Sequence, residues 1–167
     1  MTGFDLLLVV MVLGVVVYES RMETGRALLD TMAVLAALQF SRGFAVHLTP
    51  LLGAKPLPGT EFSPLALALS FGILLVGGLL ASKYLHRNVR WSMDQFDLIF
   101  GAALGLVLAV ALGHGITDVV AHFAIQKYGY LPEYFHNSLV ADELRSFHTY
   151  HYVVDVFHGV QSGRSLP

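Results

Sequence analysis

The pattern of hydrophobic and polar positions divides the chain into four apolar segments and a more polar tail. The segments cover residues 4–18, 27–48, 65–82 and 96–111, and the last continues as a helix toward residue 126. A helix that crosses a bilayer needs about 20 mostly apolar residues, and the third and fourth segments approach that length. The pattern therefore predicts two spanning helices there. The first two segments are predicted to cross the bilayer tilted, to thin it locally, or to enter it as a re-entrant hairpin.

Small residues recur at every fourth position of the fourth segment and so lie on one stripe of a helix. A helix that is apolar on all sides and carries such a stripe is typical of membrane helices in close mutual contact. The predicted helix-packing residues are Gly101, Gly105, Ala109 and Gly113. Comparable stripes in the second and third segments are Ala33, Ala37, Ser41 and Ala45, and Ser70, Gly78 and Ser82. The predicted fold class is an all-α integral membrane protein, a compact bundle of about four transmembrane or re-entrant helices plus a C-terminal amphipathic helix.

The composition of the chain changes after residue 127, where aromatic and charged residues replace the long apolar runs. Pro132 interrupts the chain, and residues 138–160 have the pattern of an amphipathic or partly buried helix. We therefore expect a transmembrane domain at residues 1–127 and an extramembrane or interfacial, His-rich tail at residues 128–167.

Composition supports a membrane protein and excludes several other classes. The chain is 55% hydrophobic and 13% charged, whereas soluble domains carry about 25% charged residues. Its net charge of −2 offers no basic surface for nucleic acid. It has no cysteine, which excludes disulfides and thiolate metal sites. The expected partners are the lipid bilayer and the helices of other membrane proteins, in a homo- or hetero-oligomer.

Basic residues fall in the two turns that follow the first and third segments. They are Arg21 and Arg26 in the first turn, and Lys83, His86, Arg87 and Arg90 in the second. If all four segments cross the membrane, both turns lie on the same side. The positive-inside rule then predicts a multi-pass protein whose basic loop, residues 83–90, faces the cytoplasm. Because the first segment lacks a basic region before it, we expect no cleavable signal peptide.

Two stretches of the sequence carry a family resemblance. The first opens with Phe4-Asp5 and runs through a turn containing Gly25-Arg26 to Gln39-Phe40. The second, residues 93–105, is an aspartate-containing segment that enters a glycine-rich helix. Over about residues 4–125 the chain resembles the colicin V production protein family of bacterial inner-membrane proteins. The resemblance implies a non-enzymatic protein of the bacterial inner membrane, associated with toxin production or export and with envelope homeostasis.

Histidine and aspartate residues form two helical faces that are candidates for titration or metal binding. The first face consists of His114, Asp118 and His122, and the second of His148, His151, Asp155 and His158. Such faces could ligate a divalent metal or haem. They could also form a packing interface that responds to pH, or simply meet water and lipid headgroups. These alternatives stay open, and no cofactor is assigned.

Two charged residues, Asp30 and Arg42, lie within the second apolar segment. Charges are costly in hydrocarbon, so each predicts either a partner on another helix or a position near the headgroups. They are about three helical turns apart and should not pair with each other. No nucleophile and base motif, phosphate loop or dinucleotide fingerprint occurs, which favours a non-enzymatic protein.

Three functional hypotheses follow from these features. The first is an integral membrane scaffold or interaction protein of the colicin V production type, acting through helix–helix contacts. The second is an accessory subunit of a larger, energy-transducing membrane complex, with the unusual tail docked on a partner. The third is a component of a pH-sensitive channel or transporter, suggested by Asp30, Arg42 and the face that contains His114.

Overall fold

The structure is a computed structural model that describes residues 3–89 and 91–146, and this part of the chain is helical without any strand. Its helices are α1 (Gly3–Glu19), α2 (Thr24–Leu51), α3 (Pro64–Asn88), α4 (Asp97–Tyr128), α5 (Glu133–His136) and α6 (Leu139–Ser146). One turn of 3-10 helix, Asp94–Phe96, leads into α4. The all-helical prediction is confirmed for these residues.

Two helices are long and apolar enough to cross a membrane by length and composition, namely Pro64–Asn88 and Asp94–Tyr128. Only 28% and 33% of their most apolar windows are buried, so most of each window faces outward. These are the third and fourth segments, for which crossing is predicted. Helix α1 has 17 residues and is about 25 Å long, while α2 has 28 residues but carries polar side chains. Crossing by α1 and α2 stays a prediction.

Helix α4 is the centre of the bundle, because it contacts α1, α2, α3 and α6. Helices α2 and α3 pack along each other as a hairpin, which is closed by the proline-containing loop at residues 52–63. We call the end of the bundle where α1 and α3 stop and α2 and α4 start the basic end. The opposite end, where the proline-containing loop lies, is the loop end. The His86 Nε2 atom lies 3.2 Å from Glu23 Oε2, so both basic turns meet at the basic end.

Local signals in the sequence set the ends of the long helices. Ser63 caps α3 by accepting a hydrogen bond from the Ala66 amide at 3.1 Å, and Pro64 occupies the first turn, where its missing N–H costs nothing. Helix α4 ends at Gly129, whose φ of 77° is the left-handed conformation that glycine adopts most easily. The α2–α3 loop is fastened by a hydrogen bond of 2.9 Å from the Ser63 amide to Thr49 Oγ1.

Two aspartates at the starts of α1 and α4 each hold the start of another helix. The Asp5 carboxylate accepts hydrogen bonds from the Ser138 hydroxyl and from the Val140 amide, at the start of α6. The Asp97 carboxylate accepts from both the amide and the hydroxyl of Thr24, at the start of α2. Carboxylates suit these positions because the first amides of a helix lack partners within it. At each end of the bundle, an aspartate at the start of one helix therefore binds the start of another helix.

The first part of the predicted tail packs onto the bundle. Phe135, Ala141 and Leu144 are buried in a cluster with Leu8 of α1 and Ala121 of α4. Helix α6 is thus a packed element up to residue 146. Residues 147–167 lie outside the described residues, so the rest of the predicted helix 138–160 and the domain boundary after residue 127 stay predictions.

Candidate functional site

Two clusters of polar side chains join the long helices, one toward each end of the bundle. The cluster at the basic end is built by the last turn of α1, the first two turns of α2 and the last two turns of α3. Its centre is Asp30, which is 4% exposed. The Ser82 hydroxyl donates a hydrogen bond to Asp30 Oδ1, and Arg26 Nε lies 3.5 Å from Asp30 Oδ2. Asp30 thus finds a partner on another helix, as the cost of burying a carboxylate requires.

Glu19 is the second buried acid of the basic end and is 3% exposed. Its Oε2 atom has no hydrogen-bond partner among the described residues, and neither has the buried Nε atom of Arg26. The Arg26 Nη2 atom donates to the Tyr18 hydroxyl at 3.1 Å. Arg26 Nε still lies 3.5 Å from Asp30 Oδ2. Buried polar atoms without any partner are rare and costly, so Glu19 Oε2 marks an arrangement that the described side chains do not complete.

An elongated groove of about 470 Å³ runs from this cluster toward the middle of the bundle. We call it the basic-end groove. Its polar end is formed by Tyr18, Glu19, Arg26, Asp30 and Lys83, and the rest of its lining is apolar. The apolar lining residues are Gly14, Val15, Val34, Leu75, Val76, Leu79, Leu80, Leu108 and Leu112. A groove with apolar walls and a few polar groups at one end suits an amphiphilic ligand.

The cluster at the loop end joins α2 to α4. The Arg42 Nη2 atom donates to Asp118 Oδ2 at 3.1 Å, and the side chains of Arg42 and Asp118 are 59% and 15% exposed. The His122 Nδ1 atom lies 2.8 Å from the Asp118 carbonyl oxygen and 3.5 Å from Asp118 Oδ1. The ring of Phe62 packs against His122, with 5.4 Å between the ring centroids. Arg42 thus pairs across two helices at the surface.

A second cavity, the loop-end cleft of about 540 Å³, lies beside this ion pair. Arg42, Asp118, His114 and Gln39 contribute its polar lining, and apolar side chains such as Phe71 complete it. Small residues therefore do not close the whole bundle, because α4 lines both the basic-end groove and the loop-end cleft. The compact packing expected from the sequence holds along the contact of α1 with α4.

The three residues of one predicted face, His114, Asp118 and His122, do not contact the same neighbouring helix. The His114 Nδ1 atom lies 2.6 Å from the Leu144 carbonyl oxygen and so links α4 to α6. Asp118 and His122 instead join the cluster with Arg42. Within residues 3–89 and 91–146, no group of three or more histidine or acidic residues is placed to hold a metal ion. The second predicted face, with His148, His151, Asp155 and His158, lies outside the described residues.

The predicted helix-packing residues lie at contacts within the chain. A Cβ atom on Gly101 would come within 2.6 Å of the Glu19 carbonyl oxygen, and one on Gly105 within 2.8 Å of Glu19 Cβ. Ala109 is fully buried. A Cβ atom on Gly113 would meet the tip of the Leu144 side chain at 2.9 Å. The stripe brings α1 close to α4 and makes room for α6.

Sequence reasoning missed Glu19 and Ser82 as site residues. In the sequence Glu19 is one of several polar residues in a turn, although it directly ends an apolar helix. Ser82 stands in the small-residue stripe of α3, where its hydroxyl gives no signal of its own. Gly25 is a further missed position, because a Cβ atom there would come within 2.6 Å of the Trp91 carbonyl oxygen.

Comparison of the chain with protein-family models, with curated proteins and with solved structures finds no match. The resemblance to the colicin V production family therefore rests on the residues quoted from the sequence and stays a prediction.

Proposed function

We propose that this chain is a non-enzymatic, multi-pass scaffold protein of a bacterial inner membrane, the role implied by its resemblance to the colicin V production family. The observation that carries the proposal is the distribution of large apolar side chains. They are exposed on the outward faces of all four long helices, for example at Leu7, Phe44, Ile73 and Leu106. Soluble monomers rarely expose contiguous apolar patches beyond a few hundred Å². This surface suits acyl chains better than water.

The proposed topology has four crossings, with the basic end in the cytoplasm. The basic side chains Arg21 and Arg87 are exposed at that end, where the positive-inside rule favours them. Helix α1 is short for a bilayer core of about 30 Å, but tilting neighbours and local thinning accommodate such differences at modest cost. Lys55, in the proline-containing loop, then faces the opposite side.

The topology can be tested by cysteine labelling, because the chain has no cysteine of its own. We expect R21C and R87C to react with a membrane-impermeant maleimide only after the inner membrane is opened, and K55C to react in intact spheroplasts. The unmodified chain is the control. If R21C and K55C react on the same side, the four-crossing topology is wrong. If alkaline carbonate releases the unmodified chain without detergent, its membrane location is wrong as well.

A scaffold needs an outward face on which a partner helix can approach the backbone closely. Such a face lies on α3, where Ala68, Gly72 and Val76 border a shallow groove. Among the described residues, nothing lies within 4 Å of a Cβ atom placed on Gly72. The glycines of α4 do not offer such a face, since Gly101, Gly105 and Gly113 already contact α1 or α6, and Gly115 contacts α2 and α3.

The scaffold role predicts a stoichiometric helical partner, either a second copy or another membrane protein, in mild detergent. We expect G72L to lose this partner, because leucine fills the groove, while G43L keeps it. Gly43 is a matched control, because a Cβ atom there also meets nothing within 4 Å of the described residues. Purification followed by mass spectrometry and mass determination in solution provides the measurement. A monomer without any partner contradicts the scaffold role, and subunits of an energy-transducing complex would instead support the accessory-subunit hypothesis.

A further inference from the structure

We propose that the basic-end groove binds one phospholipid with a primary-ammonium headgroup, of the phosphatidylethanolamine type. The inference rests on the proposed membrane location but not on the scaffold role. It starts from a buried acceptor, Glu19 Oε2, that has no hydrogen-bond partner among the described residues, and from the neighbouring Arg26 guanidinium, whose Nε atom lies 3.5 Å from Asp30 Oδ2. Both side chains line the same end of the groove. A ligand that complements both side chains carries a donor for Glu19 and an anionic acceptor for Arg26 a short distance apart.

The headgroup of phosphatidylethanolamine has this combination. Its primary ammonium has three N–H donors, like a lysine side chain, and can donate to the Glu19 carboxylate next to Asp30. Its phosphate is an acceptor for Arg26, and Lys83 at the rim of the groove supplies a second cation. The two acids and two bases of the polar end thus match both charges of a zwitterion. A purely anionic headgroup would place its phosphate beside two carboxylates without offering them a cation.

The remainder of the groove suits an acyl chain. Its walls are valine and leucine side chains of α1, α2, α3 and α4. Val76 and Leu80 line the groove and are also exposed on the outward face of α3. A lipid chain can therefore enter sideways from the bilayer without crossing a polar barrier. The polar end lies at the level of the basic residues, where the headgroups of the adjacent leaflet are found.

Specificity provides the test, because phosphatidylcholine differs only in having a quaternary ammonium without any N–H donor. We would titrate the purified chain in mild detergent with phosphatidylethanolamine, phosphatidylcholine and phosphatidylglycerol of identical acyl chains, and count bound lipid by native mass spectrometry. A hydrogen bond to a charged group predicts that phosphatidylethanolamine binds about tenfold more tightly than phosphatidylcholine. This comparison uses the unmodified chain and does not depend on the folding of a variant.

Two variants locate the site. E19L removes the acceptor and should abolish the preference for phosphatidylethanolamine over phosphatidylcholine. G14L should weaken binding of every lipid, because Gly14 lines the groove and a Cβ atom there meets nothing within 4 Å of the described residues. G43L lies outside the groove and should bind as the unmodified chain does.

Equal binding of the three lipids, or no bound lipid, overturns the inference. So does a preference that survives both E19L and G14L, since the lipid would then bind elsewhere. These outcomes leave the membrane location untouched, because that location is tested separately by labelling and by carbonate extraction.

Discussion

The basic end of the bundle and the parts farther from it differ in how closely their atoms are constrained. At the basic end, backbone meets backbone: a Cβ atom on Gly101 or on Gly25 would come within 2.6 Å of a carbonyl oxygen of another segment. Midway along α4, a Cβ atom on Gly113 would meet only the tips of side chains, Leu144 at 2.9 Å and Met11 at 3.3 Å. Backbone atoms can yield only when a whole helix moves, whereas a leucine tip can rotate away.

The charged residues of α2 show the same difference. Asp30, toward the basic end, is buried and is held by Ser82 and Arg26, whereas Arg42, toward the loop end, is largely exposed beside Asp118. Both stand out equally in the sequence as charges within an apolar segment. The difference teaches that the cost of such a charge depends on its depth and partners, which a linear pattern does not contain.

The largest effect is expected from a pair of alanine substitutions in α4. We expect G101A to lower the free energy of unfolding by about 2 kcal/mol, because α1 must move away from α4. G113A should change it by less than about 1 kcal/mol, because Leu144 can adjust and alanine favours the helix. Unfolding in mixed detergent micelles, followed by the helical circular dichroism signal, measures both. Equal losses would show that the basic end and the middle of α4 are packed equally tightly.

A loss of stability of similar size is expected when the buried hydroxyl that supports Asp30 is removed. We expect S82A to lower the free energy of unfolding by about 2 kcal/mol, since a buried carboxylate oxygen then loses its donor. The matched control is S70A in the same helix, because Ser70 is equally buried and its hydroxyl has no partner among the described residues. S70A should be neutral or slightly stabilising. If S82A is as mild as S70A, Asp30 does not depend on Ser82.

The smallest effect is expected at the loop end. R42Q removes an ion pair whose arginine is 59% exposed. Such surface pairs contribute about 1 kcal/mol or less, and added salt weakens them further. We expect R42Q to differ little from the unmodified chain at low salt and not at all at high salt, in the same unfolding measurement. A loss as large as that of S82A would mean that the Arg42–Asp118 pair is held as tightly as the basic-end cluster.

Residue patterns predict the long apolar helices of this chain but not which helices contact each other. Runs of apolar residues predict α3 and α4. The small-residue stripe predicts a close helix contact but not its partner, which is α1 near Gly101 and α6 near Gly113. The face of His114, Asp118 and His122 has one helical spacing, yet its members contact different helices.

By itself, the sequence determined the helical class, the two helices apolar enough to cross a membrane and the positions where close packing is possible, because these properties follow from neighbouring residues along one chain. Only the tertiary structure decided that Glu19 is buried with its Oε2 atom lacking a hydrogen bond among the described residues, that Ser82 supports Asp30 and that Arg42 meets Asp118. These relations join residues dozens of positions apart, and they depend on how antiparallel helices slide and rotate against each other. The spacing of residues within a single helix does not determine how that helix is positioned against its neighbours.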